Sequence, residues 1–266
     1  MGEPLLRVTE LRKVFGERVA VDGVSFELGE GGSLAIVGES GSGKTTVARM
    51  LVGLERPTSG TIVFAGRDHS QPSRSRKDRL ERAHGTQLVF QDPYTSLDRR
   101  QTVVQCVDES LRLYLGGTSQ SRRARLDELA EMVGLDDRQL RALPRALSGG
   151  QRQRVAIARV LAAEPRLVIL DEAVAALDVS IQAQVLNLLA DIRERTGVSY
   201  ILISHDLAVV RQLTDQIVVM RDGVVVERGE TGHVLDAPQE PYTRLLRDSV
   251  PRPGWRPRRQ LAPTRP

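Results

Sequence analysis

Hydrophobic and polar positions fall into blocks along this chain, and the block type changes repeatedly. "SLAIV" from Ser33, "LVIL" from Leu167 and "SYILIS" from Ser199 are short, nearly continuous apolar runs. Runs of this length read as strands buried on both faces. "TQLVFQ" (Thr86 to Gln91) and "GTIVFAG" (Gly60 to Gly66) also have strand character. "RVAVDGVSFEL" (Arg18 to Leu28) alternates about Asp22-Gly23, which predicts strand material around a turn. "QIVVMRDGVVVERG" predicts a hairpin turning at Asp222-Gly223. Between these runs the period lengthens. "VARMLVGL" after Thr46 reads as a helix, and so does "VSIQAQVLNLLADIRERTG", closed by Gly197. From Asp92 to Leu147 the pattern is mainly helical: Leu126, Leu129, Ala130 and Val133 recur at i, i+3, i+4, i+7, and Gly134 is placed to end that helix. Val155, Ala158 and Leu161 share one side of the helix that follows Gly150.

Strands alternating with helices predict an α/β fold with a mainly parallel sheet. Such sheets bind ligands at the C-terminal ends of their strands, and the chemically active residues of this chain cluster there. "SQPSRSRKDRLER" (Ser70 to Arg82) is strongly charged and reads as a solvated segment. The closing "PRPGWRPRRQLAPTRP", with Trp255 inside it, has the composition of a poorly ordered tail.

Composition changes this picture little. The chain has 266 residues, enough for one large domain or two small lobes, and its low aromatic content leaves Val, Ile, Leu and Ala to build the core. The single cysteine, Cys106, allows no internal disulfide and no multi-cysteine metal site, and reads as a small packed residue. The modest positive charge is almost all arginine; lysine occurs only at Lys13, Lys44 and Lys77, and it carries no nucleic-acid inference. The opening "MGEPLLRVTELRKVF" lacks the apolar core of a secretion signal, and its Gly2 lacks the downstream Ser or Thr of a myristoylation site. No uninterrupted apolar run approaches the roughly 18 residues needed to span a bilayer. The expectation is a soluble chain that a partner must hold at any membrane.

Five stretches carry chemistry. Gly38-Glu39-Ser40-Gly41-Ser42-Gly43-Lys44-Thr45 fits GxxxxGK[ST] between a predicted strand and a predicted helix. Its glycines let backbone N–H groups face phosphate oxygens. Lys44 is placed to bridge the β- and γ-phosphates, and Thr45 to ligate Mg²⁺. Asp171 and Glu172 end an apolar strand, where two adjacent carboxylates are costly without a cation or a shared proton. Asp171 suits the Mg²⁺ shell; Glu172 is then free to polarise an attacking water. Gln91 ends "TQLVF", where its amide can reach Mg²⁺ and the water. His205 ends "SYILIS", where it can report on a γ-phosphate. Read alone, Gln91 is a loop residue and His205 a core histidine. "LSGGQRQR" (Leu147 to Arg154) places a second anion-binding turn at a helix start, although the chain already has one phosphate loop.

"GESGSGKT", "VFQDPYTSLD", "LSGGQRQRVAIAR", "LVILDE", "AALD" and "LISHDL" resemble, in order, the Walker A, Q-loop, signature, Walker B, D-loop and switch-histidine motifs of ATP-binding-cassette (ABC) ATPases, over roughly residues 6–230. The resemblance implies a P-loop NTPase (RecA-like) core, an antiparallel β-subdomain and a helical subdomain at about 92–163. It places the ATPase domain at 4–235 and a C-terminal extension at 236–266. It implies ATP contacts from Gly38 to Thr46, with Phe15 stacked on adenine; a core role for Phe15 is the alternative. The metal shell it implies is Thr45, Gln91 and Asp171. It also implies that two ATPase chains face each other head to tail, so that Ser148, Gly149, Gly150, Gln151 and Asp178 serve the ATP of the partner chain. The second anion-binding turn is then half of a shared site.

"DVSIQAQVLNLL" and "PQEPYTRLL" (Pro238 to Leu246) resemble the ATPase subunits of bacterial oligopeptide, dipeptide and nickel importers, of the subunit type without a C-terminal cysteine cluster. That implies permease subunits, reached through the segment Asp92 to Leu97, a solute-binding protein acting indirectly, and a place on the cytoplasmic face of the cell membrane. It implies no nucleic acid. Two departures stand out. Ala173-Val174-Ala175 replaces the family's Pro-Thr-Ser, and "SLDRR" replaces "SLNPR". The competing readings are an exporter ATPase, a phosphonate-metabolism ATPase, a cassette acting on nucleic acid or ribosomes, and a non-catalytic binding module.

Overall fold

The computed structural model describes residues 3–73, 75–92 and 97–249. Two sheets organise them. A six-stranded sheet has the order β10-β9-β3-β8-β7-β6, built from β3 (Ser33–Val37), β6 (Thr86–Val89), β7 (Leu167–Asp171), β8 (Ser199–Ser204), β9 (Gln216–Arg221) and β10 (Val224–Glu230). It is parallel from β9 to β6, and β10 joins as an antiparallel edge strand. A four-stranded antiparallel sheet has the order β2-β1-β4-β5, from β1 (Leu6–Phe15), β2 (Arg18–Leu28), β4 (Ser59–Phe64) and β5 (Arg67–Asp68).

The continuous apolar runs are explained by covering on both faces. In β3, Leu34 and Ile36 join one core with the antiparallel sheet and helix α1 (Lys44–Leu51), while Ala35 and Val37 join a second core with the other helices. β7 and β8 divide in the same way: Ile169 and Ile201 face the first core, Leu170 and Leu202 the second. The second core takes in the helices between β6 and β7: α3 (Val103–Tyr114), α4 (Ser119–Val133), α5 (Asp137–Arg141) and α6 (Gly149–Leu161), which follow α2 (Arg76–Gly85). Leu126, Leu129, Ala130 and Val133 are all buried, as their spacing predicts. Cys106 packs in α3, where burial pushes its thiol pKa up.

The turn expected at Asp22-Gly23 is absent. β2 runs unbroken, and both of its halves pair with β1, from Leu6↔Leu28 to Phe15↔Arg18, with register breaks midway. A partner strand upstream makes self-pairing unnecessary, so the Asp-Gly step becomes an irregularity within a strand. The hairpin at Asp222-Gly223 forms between β9 and β10. The charged segment becomes α2, capped by Ser75 and carrying no buried residue. After β7 come α7 (Val179–Thr196) and α8 (Leu207–Leu213), and after β10 two short helices, α9 (Thr231–Asp236) and α10 (Pro241–Asp248). No helix among the described residues is long and apolar enough to cross a membrane. Trp255 and residues 93–96 lie outside the described residues.

Candidate active site

Strands β3, β8, β7 and β6 are neighbours, and each hands a functional segment to the same edge of the sheet. The loop after β3 is Gly38 to Gly43. Gly38 has φ +151, and a Cβ there would lie 2.1 Å from the Met220 carbonyl oxygen. Only glycine fits so close to a neighbouring strand's backbone. The Lys44 side chain folds back inside the loop, donating to the carbonyls of Gly38 at 2.8 Å and Glu39 at 2.7 Å. It is 5% exposed. Burial lowers the pKa of its ammonium, and the charges of Glu172, Asp171 and Glu39 oppose that shift.

From β7, Asp171 meets the loop: the Thr45 hydroxyl donates to Asp171 Oδ1 at 3.3 Å. Burial raises the Asp171 carboxyl pKa; the Thr45 hydrogen bond lowers it and the adjacent Glu172 charge raises it further. Glu172 follows in a left-handed conformation, φ +48, with its N–H bonded to the Ile203 carbonyl of β8. A residue with a Cβ is held there at a cost of roughly 1–2 kcal/mol, and the turn aims its carboxylate along the sheet edge. Gln91, beyond β6, donates to Glu172 Oε2 at 3.1 Å, and His205 Nδ1, beyond β8, lies 3.3 Å from Glu172 Oε1. His205 is therefore a surface residue of this cluster and not a core histidine.

A cavity of about 380 Å³ joins the loop to Phe15, Arg18, Ala20 and Glu172. Phe15 is 45% exposed, which excludes the core alternative, and the Lys13 ammonium lies 4.6 Å from its ring centroid. Arg18 and Ala20 escape the sequence reading because β1 and β2 show no chemical motif. The loop segments Ser40, Gly41, Gly43 and Thr46 line this cavity, whereas Ser42 is buried behind it.

Thr45 and Asp171 present two hard oxygen donors 3.3 Å apart. Adjacent vertices of a Mg²⁺ octahedron with bonds of about 2.05 Å are separated by about 2.9 Å, so the pair fits that ion's shell with little adjustment. Among the described residues no cluster of His, Cys, Asp and Glu forms a metal cage; the donor set suits an ion that arrives with phosphates.

The second anion-binding turn stands apart. None of Ser148, Gly149, Gly150, Gln151 and Asp178 lines the loop cavity. Ser148 caps α6: its hydroxyl accepts from the Gln151 N–H at 3.3 Å, and Gln151 Oε1 accepts from the Ser148 N–H at 2.9 Å. Ser148, Gly149 and Asp178 are exposed, while Gly150 is buried where a Cβ would lie 2.4 Å from Ile181 Cγ2. Close packing on the start of α7 thus sets the signature turn beside Leu177 and Ile181. Arg152 braces the turn from behind, donating to the carbonyls of Pro144 and Leu147.

Other hollows lie among the described residues. One of about 330 Å³ lies between β6 and helices α3 and α6, lined in part by Phe90, Leu113 and Tyr114; Phe90 and Leu113 are exposed. Another, of about 620 Å³, lies beside β5 and α2 and is lined by no motif residue. There Arg67 pairs with Glu81, and Arg82 is bound to the carbonyls of His69, Met50 and Leu51.

The profile of the ABC transporter family matches residues 21–175. The chain is similar to the "Probable D,D-dipeptide transport ATP-binding protein DdpF" of Escherichia coli (strain K12), 44% identical over 232 residues, covering 87% of this chain and 70% of that one. It is 41% identical to the oligopeptide transport ATP-binding protein OppF of Lactococcus lactis subsp. lactis (strain IL1403), covering 88% of this chain and 72% of that one. Among solved structures, a dimeric ATP-binding cassette in a post-hydrolysis state, bound to ADP and Pi, superposes with a TM-score of 0.75 at 29% identity, covering 85% of this chain and 98% of that one.

Proposed function

Because this chain belongs to the ABC transporter family as one of its ATP-hydrolysing subunits, we propose that it drives uptake of a peptide or related small solute through a membrane permease. The observation that carries the catalytic part is the convergence on Glu172. Gln91 and His205 each occupy one of its carboxylate oxygens, while the neighbouring Asp171 meets Thr45 in the phosphate loop.

Each residue then has a task. The loop N–H groups and Lys44 bind the phosphates, and Phe15 stacks on the base from the cavity's outer wall. Lys44 must exchange carbonyl partners for phosphate oxygens, whose negative charge favours its charged form. Thr45, Gln91 and Asp171 would hold Mg²⁺, whose chemistry when bound is to neutralise charge on the transferring phosphoryl group. Glu172 orients and polarises the attacking water, and Gln91 and His205 fix its carboxylate. Phosphoryl transfer needs mainly positioning and charge stabilisation, which this set supplies.

The signature turn serves a second chain. Its exposed helix start, remote from its own loop cavity, is suited to the γ-phosphate bound by a partner. ATP then joins two ATPase subunits, of the same or different sequence, and hydrolysis lets them part. The hollow at Phe90 and Leu113, next to Gln91, is suited to a permease segment that receives this motion. The working place is the cytoplasmic face of the membrane. The relatives' names, which are of transport proteins for dipeptides and oligopeptides, favour a peptide-class cargo.

Three variants test the reading in one series. Lys44→Ala abolishes ATP binding. Glu172→Gln keeps binding, loses turnover and accumulates as an ATP-bound dimer in size-exclusion chromatography. Ser148→Arg binds ATP as a monomer but does not hydrolyse it in the assembled complex. Undiminished hydrolysis by Glu172→Gln, or loss of monomer ATP binding in Ser148→Arg, overturns the assigned roles.

A further inference from the structure

The "PQEPYTRLL" stretch remains without a task in this mechanism, and the structure brings it to the nucleotide loop. The Tyr242 hydroxyl on α10 accepts a hydrogen bond from the Glu39 backbone N–H at 2.9 Å, across 203 residues of chain. Tyr242 is 6% exposed, and the Arg221 guanidinium lies 5.1 Å from its ring centroid. Glu39 is the pivot of the loop. Its carbonyl accepts from the Lys44 ammonium at 2.7 Å and from the Ser42 N–H at 3.2 Å. Its N–H, on the first peptide after Gly38, is already taken by Tyr242.

α10 is built to hold that contact. Glu227 on β10 accepts from the N–H groups of Gln239 and Glu240 at the helix start, and Arg244 reaches back to the carbonyls of Pro238 and Gln239. Leu246 packs against the core. A short helix fixed at both ends can position a hydroxyl closely, whereas a purely packing role needs no hydroxyl at this site.

We propose that Tyr242 is a positioning residue for ATP binding: by holding the Glu39 peptide, it keeps the phosphate loop and the Lys44 ammonium in the conformation that accepts nucleotide. The inference rests on the ATP-binding role assigned to the loop. Without the hydroxyl, the loop spends part of its time in other conformations, and apparent affinity falls by the fraction lost. The net worth of one hydrogen bond corresponds to roughly a threefold to tenfold rise in the Kd for ATP.

The test uses the full chain with a fluorescent ATP analogue, hydrogen–deuterium exchange and thermal melts. Tyr242→Phe keeps the ring and removes the hydroxyl. Thr243→Val is the matched control, because Thr243 is buried on the same helix with no hydrogen-bond partner for its hydroxyl among the described residues. The expected result is a threefold to tenfold weaker Kd and faster exchange in the peptide containing Glu39 for Tyr242→Phe, with Thr243→Val at wild-type affinity. Unchanged Kd and exchange in Tyr242→Phe overturn the proposal. So does an equal loss of affinity in both variants, which would mark the helix as merely structural. Wild-type protein that fails to bind the analogue, or a Lys44→Ala variant that binds it as well as wild type, overturns the ATP-binding reading itself.

Discussion

Replacing Gly38 by alanine tests how firmly the sheet dictates the phosphate loop. The new Cβ would lie 2.1 Å from the Met220 carbonyl oxygen and 2.8 Å from Ser42 Oγ, whereas ordinary contact begins at 3.4 Å. Ser42 can rotate, but the Met220 carbonyl belongs to β9, which pairs with β3 on one side and β10 on the other. Relief therefore means moving an interior strand that is buried from Ile217 to Met220, or displacing the loop. The φ of +151 adds backbone strain for any residue with a Cβ. Strain of about 1–3 kcal/mol and overpacking of about 1–3 kcal/mol together predict a loss of roughly 2–6 kcal/mol. At about 2–4 °C per kcal/mol for a chain near this size, Tm falls by of order 10 °C.

Gly41→Ala is the comparison. Its φ of +86 is also unfavourable, but the nearest atom to a new Cβ is Arg18 Nη2 at 3.9 Å. Strain alone predicts roughly 1–2 kcal/mol and a Tm lower by about 2–8 °C. Nucleotide-free melts by differential scanning calorimetry read both values, and ATP titration should show Gly38→Ala binding at least about tenfold more weakly. If Gly38→Ala melts within 2 °C of wild type, or Gly41→Ala is equally destabilised, the close approach of β9 to the loop is not what selects glycine at position 38.

Two further predictions rest on separate contacts. Gly150→Ala drives a methyl toward Ile181 Cγ2 at 2.4 Å, and a β-branched side chain in a helix has little rotamer freedom. Urea unfolding should show a loss of about 1–3 kcal/mol, largely recovered when Ile181→Ala is added; strictly additive effects would refute the contact. His69 has its pKa lowered to about 4, by burial first and by the Arg82 charge second. The unfolded chain therefore takes up a proton near pH 6.5 that the folded chain refuses until about pH 4. Stability from this group is complete above pH 6.5 and is lost as pH falls toward 4, by up to about 1.4 kcal/mol per pH unit. His69→Phe, which keeps the ring beside Phe64, should flatten the urea-measured stability profile in that window, and an unchanged slope would count against the reading.

The loop, the paired acids and the strand-ending Gln91 and His205 are legible in the sequence because each is a short motif joined to a local pattern. A buried strand, a glycine turn and a helix start are decided by residues within a few positions of one another. The same holds for the helix faces of Leu126 to Val133 and for the hairpin at Asp222-Gly223. The Asp22-Gly23 turn shows the limit of such local reading: the step is favourable for a hairpin, yet β1 offers a longer partner and the chain continues straight.

Convergence was decided only in three dimensions. Gln91 and Glu172 are separated by 81 residues, and Glu39 and Tyr242 by 203. Their meeting depends on the strand order β3-β8-β7-β6 and on where α10 folds back, and local periodicity specifies neither. A hydrophobic pattern states that a strand is buried, but any strand with two apolar faces satisfies it equally. The choice among neighbours comes from packing the whole sheet between its two cores. That choice is what sets Glu172 between Gln91 and His205 and places a tyrosine from the chain's last described helix against the Glu39 N–H at the start of the glycine loop.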